Sequence, residues 1–410
     1  MPPTLTRSRA TSLAFLLLAL SLTFGAQVQP VDPDLTAHEW GTFTSIAGSD
    51  GRAMKWSTLN RSADLPSFVE YFNGAQFKAG LQGTIRMETP VLYFYSPRET
   101  TVSVKVEFSK GLLTEWYPRV SHVEANPSKV LDREALYRRR GSASIAWDSV
   151  TVSPNLAASF PRGHYPGDSE DNQYYAARET SSAPLVVKTK SGDQQEKFLF
   201  YRGVSAFSVP LLAAVAPNGQ VHVTNLAHDE IPSVILFERR GDKIGYRLGG
   251  AVPSETTLDP PELTATFESM SRDLQDVLTS QGLYPDEARA MIETWRESWF
   301  EEGSRLFYIV PGDFLNAILP LTVHPTPAQT VRVFVGRFEL VTPATAQAME
   351  KILATHDLAG LEKYGRFLEP IMAVMEQSNP AQAGQMEKDL DLTYRSPMNQ
   401  PQMAQPETPN

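Results

Sequence analysis

The hydrophobic pattern first fixes a helix and two strands between Tyr284 and Leu340. Pro285, Asp286 and Glu287 open a helix with proline and acids in its first turn. Ala288, Met291, Ile292, Trp295 and Trp299 then recur at helical spacing, and Gly303 supplies a stop. Leu306 to Val310 is a continuous apolar run bounded by Pro311 and Gly312, which predicts a buried strand. Val331 to Val335 predicts another, continued by Gly336 to Leu340.

Upstream the period is two. His38 to Thr44 alternates polar and apolar residues, and Asp50-Gly51 breaks it. Asp64 reads as the cap of a short helix carrying Leu65, Phe68, Val69 and Phe72. Val91 to Tyr95 is an apolar strand. Val102, Val104, Val106 and Phe108 alternate strictly with polar residues, so one face is buried and the other wet. Leu113 to Tyr117 and Ile145 to Val150 predict two more strands, and Leu185 to Val187 pairs with Phe198 to Tyr201 around Gly192. Asn218-Gly219 and Arg240-Gly241-Asp242 each join two apolar runs as hairpin turns. From Asp259 the period becomes helical, with Leu263, Phe267, Met270, Leu274, Val277 and Leu278 on one face and Gly282 as the stop. Further helices start at Thr342-Pro343 and Asp357.

The expected fold is therefore α+β. A β-sandwich-like antiparallel region spans 27–255, and a helical region with strands near 305–310 and 331–340 spans 256–378. The late strands are free to join the earlier sheet. Past Ser378 the chain is rich in Pro, Gln, Asn and Met, and 379–410 reads as a disordered tail.

Composition narrows the classes. Arg7 and Arg9 precede the apolar run Leu13 to Phe24, so 1–26 reads as a signal peptide and the protein as exported, periplasmic or secreted. An uncleaved anchor is the alternative; with cleavage no stable membrane span is left. With no cysteine, disulfides, thiol catalysis and cysteine-held metals are excluded. The formal charge is −10, and losing Arg7 and Arg9 would leave the chain more acidic still, which argues against nucleic acid as a partner. Arg133 with Arg138 to Arg140 is the one dense basic spot, and reads as a solvated turn.

Three stretches carry a resemblance: Ala37-His38-Glu39-Trp40-Gly41-Thr42-Phe43-Thr44, Arg86 to Tyr95, and Thr294 to Gly303. Together they resemble a group of exported bacterial proteins that open with a His-Glu-Trp-Gly-Thr-Phe-Thr segment. The resemblance spans most of the chain and implies export and a whole-chain unit. It implies no activity, cofactor or catalytic residue.

Candidate chemistry is sparse. No zinc-protease helix, nucleophile elbow, phosphate loop or dinucleotide fingerprint is present, so no cofactor or metal is expected. His38 and Glu39 are adjacent on a strand and point to opposite faces, so they cannot jointly hold one ion. Glu88 precedes an apolar strand, where burial would raise its pKa as a general acid requires. The stretch 161–179 combines aromatics with ionisable groups: His164, Tyr174, Tyr175 and Arg178 are candidate binding residues, and Asp168 and Glu179 candidate carboxylates. His228-Asp229-Glu230 reads as a surface turn. Two functions follow. One is a non-catalytic binding or assembly protein of the envelope, its partner a saccharide or another envelope protein. The other is a carbohydrate-acting hydrolase using two carboxylates from Glu39, Glu88, Asp168 and Glu179, which requires a pair about 5–5.5 Å or about 6.5–9.5 Å apart in one cleft.

Overall fold

A computed structural model describes residues 30–58, 65–71, 82–109, 111–124, 143–163 and 172–395. The expected signal segment, Asp64, Phe72, the basic spot at 133–140, His164, Asp168 and the last fifteen positions of the tail lie outside the described residues.

The strands in chain order are β1 Val31–Ile46, β2 Trp56–Ser57, β3 Glu70–Tyr71, β4 Gln82–Gly83, β5 Ile85–Tyr95, β6 Thr100–Phe108, β7 Gly111–Tyr117, β8 His122–Glu124, β9 Ala143–Val152 and β10 Leu185–Thr189. They continue as β11 Gly192–Glu196, β12 Leu199–Ser205, β13 Leu211–Val215, β14 Val221–Asn225, β15 Ile231–Arg240, β16 Lys243–Val252, β17 Glu255–Leu258, β18 Gly303–Ile309, β19 Leu321–His324 and β20 Thr326–Leu340. The helices are α1 Phe267–Ser280, α2 Pro285–Trp299, α3 Gly312–Ile318, α4 Pro343–Ala354, α5 Leu358–Glu362, α6 Leu368–Ser378 and α7 Pro380–Arg395.

The fold is α+β, as the alternating patterns predict. A nine-stranded sheet runs β16-β15-β18-β20-β1-β5-β12-β7-β3, and a smaller sheet runs β11-β10-β9-β6-β19. Their facing sides share one apolar core, with Leu92 and Phe94 of β5 packed in the cluster that holds Val104, Val106, Trp147 and Val150. The sandwich reading needs two amendments. The large sheet takes strands from both sides of residue 255, since β18 and β20 lie between β15 and β1. And β1 pairs with β20 in parallel, from His38 opposite Val331 to Ile46 opposite Glu339, where only antiparallel pairing was expected. The chain reaches β20 only after its helical excursion, so the return direction is not set by a hairpin.

Close approach at the sheet centre is made by glycine. Gly336 lies opposite Tyr308, and a Cβ there would sit 2.0 Å from the ring; Gly41 lies opposite Phe334, where a Cβ would come within 2.7 Å. Each aromatic covers the missing side chain across the ladder.

The other face of the large sheet is covered by helices. α1 and α2 pack over it with Met270, Leu274, Met291, Trp295 and Trp299 inward. α1 begins at a capping box between Thr266 and Ser269, and α2 at Tyr284 with Pro285 and acids in its first turn. A third apolar cluster joins Ile46 and Trp56 to Met349, Leu361, Phe367 and Ile371. The disordered tail is a correction: residues 380–395 form α7, with Met386 buried and Leu390 packed on that third cluster. Composition hid a one-sided apolar stripe that the third cluster stabilises. The short helix expected at Leu65 is a turn closed by the Val69 amide on Pro66, leading into β3. Among the described residues no helix is long and apolar enough to cross a membrane.

Candidate functional site

On the helix-covered face of the large sheet, period two places an uninterrupted polar belt between two apolar regions. On β1 the residues facing the helices run Trp40, Thr42, Thr44, Ile46, and all are buried. Neighbouring strands repeat the order. β20 goes from Val333 and Val335 to Arg337 and Glu339, β5 from Tyr93 and Val91 to Glu88 and Arg86, and β18 from Ile309 and Phe307 to Arg305. In the ladder Thr42 stands opposite Glu88, and Thr44 stands between Arg86 and Arg337.

The belt is an ion-pair network. Arg305 donates to Glu339 through Nε at 3.1 Å and Nη2 at 3.2 Å, and to the carbonyls of Trp299, Glu301 and Glu302 at 2.7 Å. Arg337 Nη2 donates to Glu339 at 3.0 Å and to Glu301 at 2.6 Å. Arg366, in the turn before α6, reaches Glu88 with Nη1 at 2.6 Å, and Arg86 Nε is 3.5 Å from the same carboxylate. Phe367 stacks under both Arg337 and Arg366. Burial pushes the Glu88 carboxyl up, but Arg366 and Arg86 outweigh it and the net shift is downward. That is the reverse of what the general-acid reading needs. Isolated charges at such depth would be far too costly, so the belt stands only as a set of pairs.

Glu39 projects from the opposite face of β1, an odd number of residues from Thr42. Its Oε1 accepts from Tyr201 at 2.5 Å and its Oε2 from Arg332 at 2.7 Å. Glu39 and Glu88 therefore lie on two sides of one sheet and share no cleft. Glu179 is exposed, at the end of the short 3-10 helix Gln173–Arg178. The catalytic pairing expected from these three does not form. The binding group is also reassigned. Arg178 is tied to the fully buried Glu196 by Nε at 2.9 Å and Nη2 at 2.7 Å. Phe68, Phe160, Tyr174 and Tyr175 ring its guanidinium, nearest Tyr175 at 4.9 Å. The aromatics that suggested a ligand platform are packing around an internal ion pair. Burial keeps the Glu196 carboxyl above its ordinary value in spite of Arg178.

A second assembly was not legible as a site. Glu287, fully buried on α2, accepts from Tyr95 Oη at 2.8 Å and from the Tyr284 amide at 2.8 Å, and its Oε2 is 2.8 Å from His38 Nδ1. Asp286 beside it accepts from the Ser181 amide at 2.6 Å. Burial first, then the Glu287 charge, holds the Tyr95 phenol protonated. Asp286 and Glu287 read in the sequence as first-turn acids, and only the fold reveals that they bind β1, β5 and the turn at Ser181. These bonds shape one wall of a cavity of about 310 Å³ lined by Asp34, Thr36, Tyr95, Ser96, Ser181 and Ser182, with Pro97, Pro154 and Ala183. Among the described residues no three His, Asp or Glu side chains converge as a metal site would require.

No protein-family model matches the chain, and no curated protein matches it. Among solved structures, a yeast delta-COP-I mu-homology domain in complex with a Dsl1 WxWxV peptide is 9% identical and covers 75% of this chain and 98% of that one. Its TM-score is 0.26, too low for an argument about fold or function.

Proposed function

We propose that the protein is an exported envelope protein that binds a ligand or partner without transforming it. One observation carries the reading: four buried carboxylates, the sequence candidates Glu39 and Glu88 among them, are each held by an arginine. Glu39 is held by Arg332, Glu88 by Arg366, Glu196 by Arg178 and Glu339 by Arg305. A general acid must keep its proton near neutral pH, and Arg366 and Arg86 hold the Glu88 carboxyl below its ordinary value. Export rests on the basic residues and apolar run near the start. Intact-mass measurement of secreted material is expected to lack the first segment; a mass that retains Met1 to Gly25 refutes cleavage.

Glu88→Gln provides the functional test. The full chain incubated with a panel of plant and envelope saccharides is expected to release no new reducing ends, and the variant is expected to behave the same. Reducing ends that disappear in a folded Glu88→Gln protein would overturn the reading in favour of the carbohydrate-acting hydrolase. The variant also has a pH signature. The folded pKa of Glu88 lies below the ordinary 4.5, so its contribution is present above that pH and is lost as pH falls through the folded value. Glu196 has the opposite sign, since its folded pKa is raised and protonation in acid relieves its cost. Glu88→Gln is thus expected to lose about 1.5–3 kcal/mol at pH 7, the range for hydrogen bonds to a charged group, and to fall less steeply than the parent below pH 4.5 in urea-unfolding series. Parallel acid limbs would show that the carboxylate is not held down.

A further inference from the structure

We infer that the cavity between β1, the end of β5 and the turn at Ser181 binds a neutral polyhydroxyl ligand, one or two units of a saccharide. This rests on the non-catalytic reading above and names its ligand class. The volume of about 310 Å³ lies at the lower end of small-molecule sites. Four lining side chains carry aliphatic hydroxyls, Thr36, Ser96, Ser181 and Ser182. The Ser181 hydroxyl joins its own backbone amide in bonding Asp286, while that of Thr36 has no hydrogen-bond partner among the described residues. A hydroxyl both donates and accepts, which is the complement of a sugar hydroxyl. Asp34, half-exposed at the rim and 3.4 Å from Arg98, adds an acceptor for a ligand O–H. Tyr95, Pro97, Pro154 and Ala183 supply apolar surface for a carbon–hydrogen face.

Charge separates this class from others. No Lys or Arg lines the cavity, Asp34 lies on its rim and Asp286 lies behind Ser181. An anion would find only Arg98 near the rim, already paired with Asp32 at 2.7 Å and Asp34 at 3.4 Å. The Lys197 ammonium is engaged elsewhere, with its Nζ donating to the carbonyls of Thr180 at 3.0 Å and Ser182 at 2.7 Å. The walls are also fixed before any ligand arrives. The Ser181 amide is tied to Asp286, the Ser182 hydroxyl lies 2.9 Å from that of Thr180, and Tyr95 is tied to Glu287. A site held this way loses little freedom on binding.

The test uses the full chain, titrated calorimetrically with maltose, cellobiose and N,N′-diacetylchitobiose, with spermidine as the cationic control. Saturable binding of at least one disaccharide is expected. Ser181→Phe, at an exposed position whose backbone amide keeps its bond, is expected to abolish it. Thr36→Val is expected to weaken it by about threefold to tenfold. Ser191→Phe, on the distant β10–β11 turn, is expected to leave it unchanged. The proposal is overturned if none of the disaccharides binds, if Ser181→Phe binds as well as the parent, or if only spermidine binds. Binding that survives Ser181→Phe without turnover removes this cavity but leaves the non-catalytic reading. Turnover alongside Ser181→Phe-sensitive binding removes that reading but leaves the cavity.

Discussion

Exchanging Glu339 for Gln is expected to lower the unfolding free energy by about 3–5 kcal/mol, the range for removing one partner of a buried ion pair. Glu339 and its two arginines, Arg305 and Arg337, are all but fully buried. Glutamine keeps the size but loses the charge, and turns an NH2 group toward donors. Arg337 retains Glu301 at 2.6 Å, whereas Arg305 is left with backbone carbonyls and one amide oxygen and with no carboxylate bonded to it. Burial already lowers the pKa of Arg305, with Glu339 as the main opposing influence. The removal of both charges together should therefore be milder: Arg305→Met with Glu339→Leu is expected to cost less than Glu339→Gln alone. Urea unfolding of the three proteins decides it. A single variant within about 1 kcal/mol of the parent would show that the belt is not held by these pairs.

Trp299→Ala is the second large effect, expected at about 3–5 kcal/mol. The indole is fully buried at the last position of α2, stacked on Trp295 at 6.3 Å and set against Phe307 at 5.4 Å. Truncation would empty a volume that the β18 side chains cannot refill, because they are fixed in the sheet. Trp299 also connects the apolar core to the belt, since its carbonyl accepts from Arg305 at 2.7 Å. Trp299→Ala and Glu339→Gln are thus expected to be non-additive in a double-mutant cycle, with a coupling of at least about 0.5 kcal/mol. Trp299→Phe should recover more than half of the loss. Additive losses would mean that the indole and the belt are independent.

Strands, most hairpins and the two helices over the sheet were legible because their signals are local. The exception is β10, which turns at Gly192 onto the polar strand β11 and not onto Phe198 to Tyr201, whose apolar run joins the large sheet as β12. Asn218-Gly219 does join β13 to β14, and Arg240-Gly241-Asp242 joins β15 to β16. The belt was not legible. Arg86, Glu88, Arg305, Arg337 and Glu339 alternate with apolar residues, and period two alone assigns such charges to water. Their burial depends on α2 and on Arg366, which pack over them from remote parts of the chain. The Tyr174, Tyr175, Arg178 cluster failed for a related reason. Its partner, Glu196, sits on the far strand of a hairpin and carries no marking in the sequence. Glu39 and Glu88 each looked available because neither Arg332 nor Arg366 is near in sequence.

The parallel pairing of β1 with β20 has a consequence for biosynthesis. Arg332 and Glu39, which meet across it, are 293 residues apart. The middle of the large sheet is thus the last part to become available as the chain is made. Until β20 emerges, β1 has one open edge, and β18 has no partner on the side that β20 will occupy. Contacts of such long range slow folding and prolong the exposure of unpaired edges. A chain stopped before Thr326 would keep most of its hairpins but lack the strand that joins them, leaving two halves of a sheet with no seam.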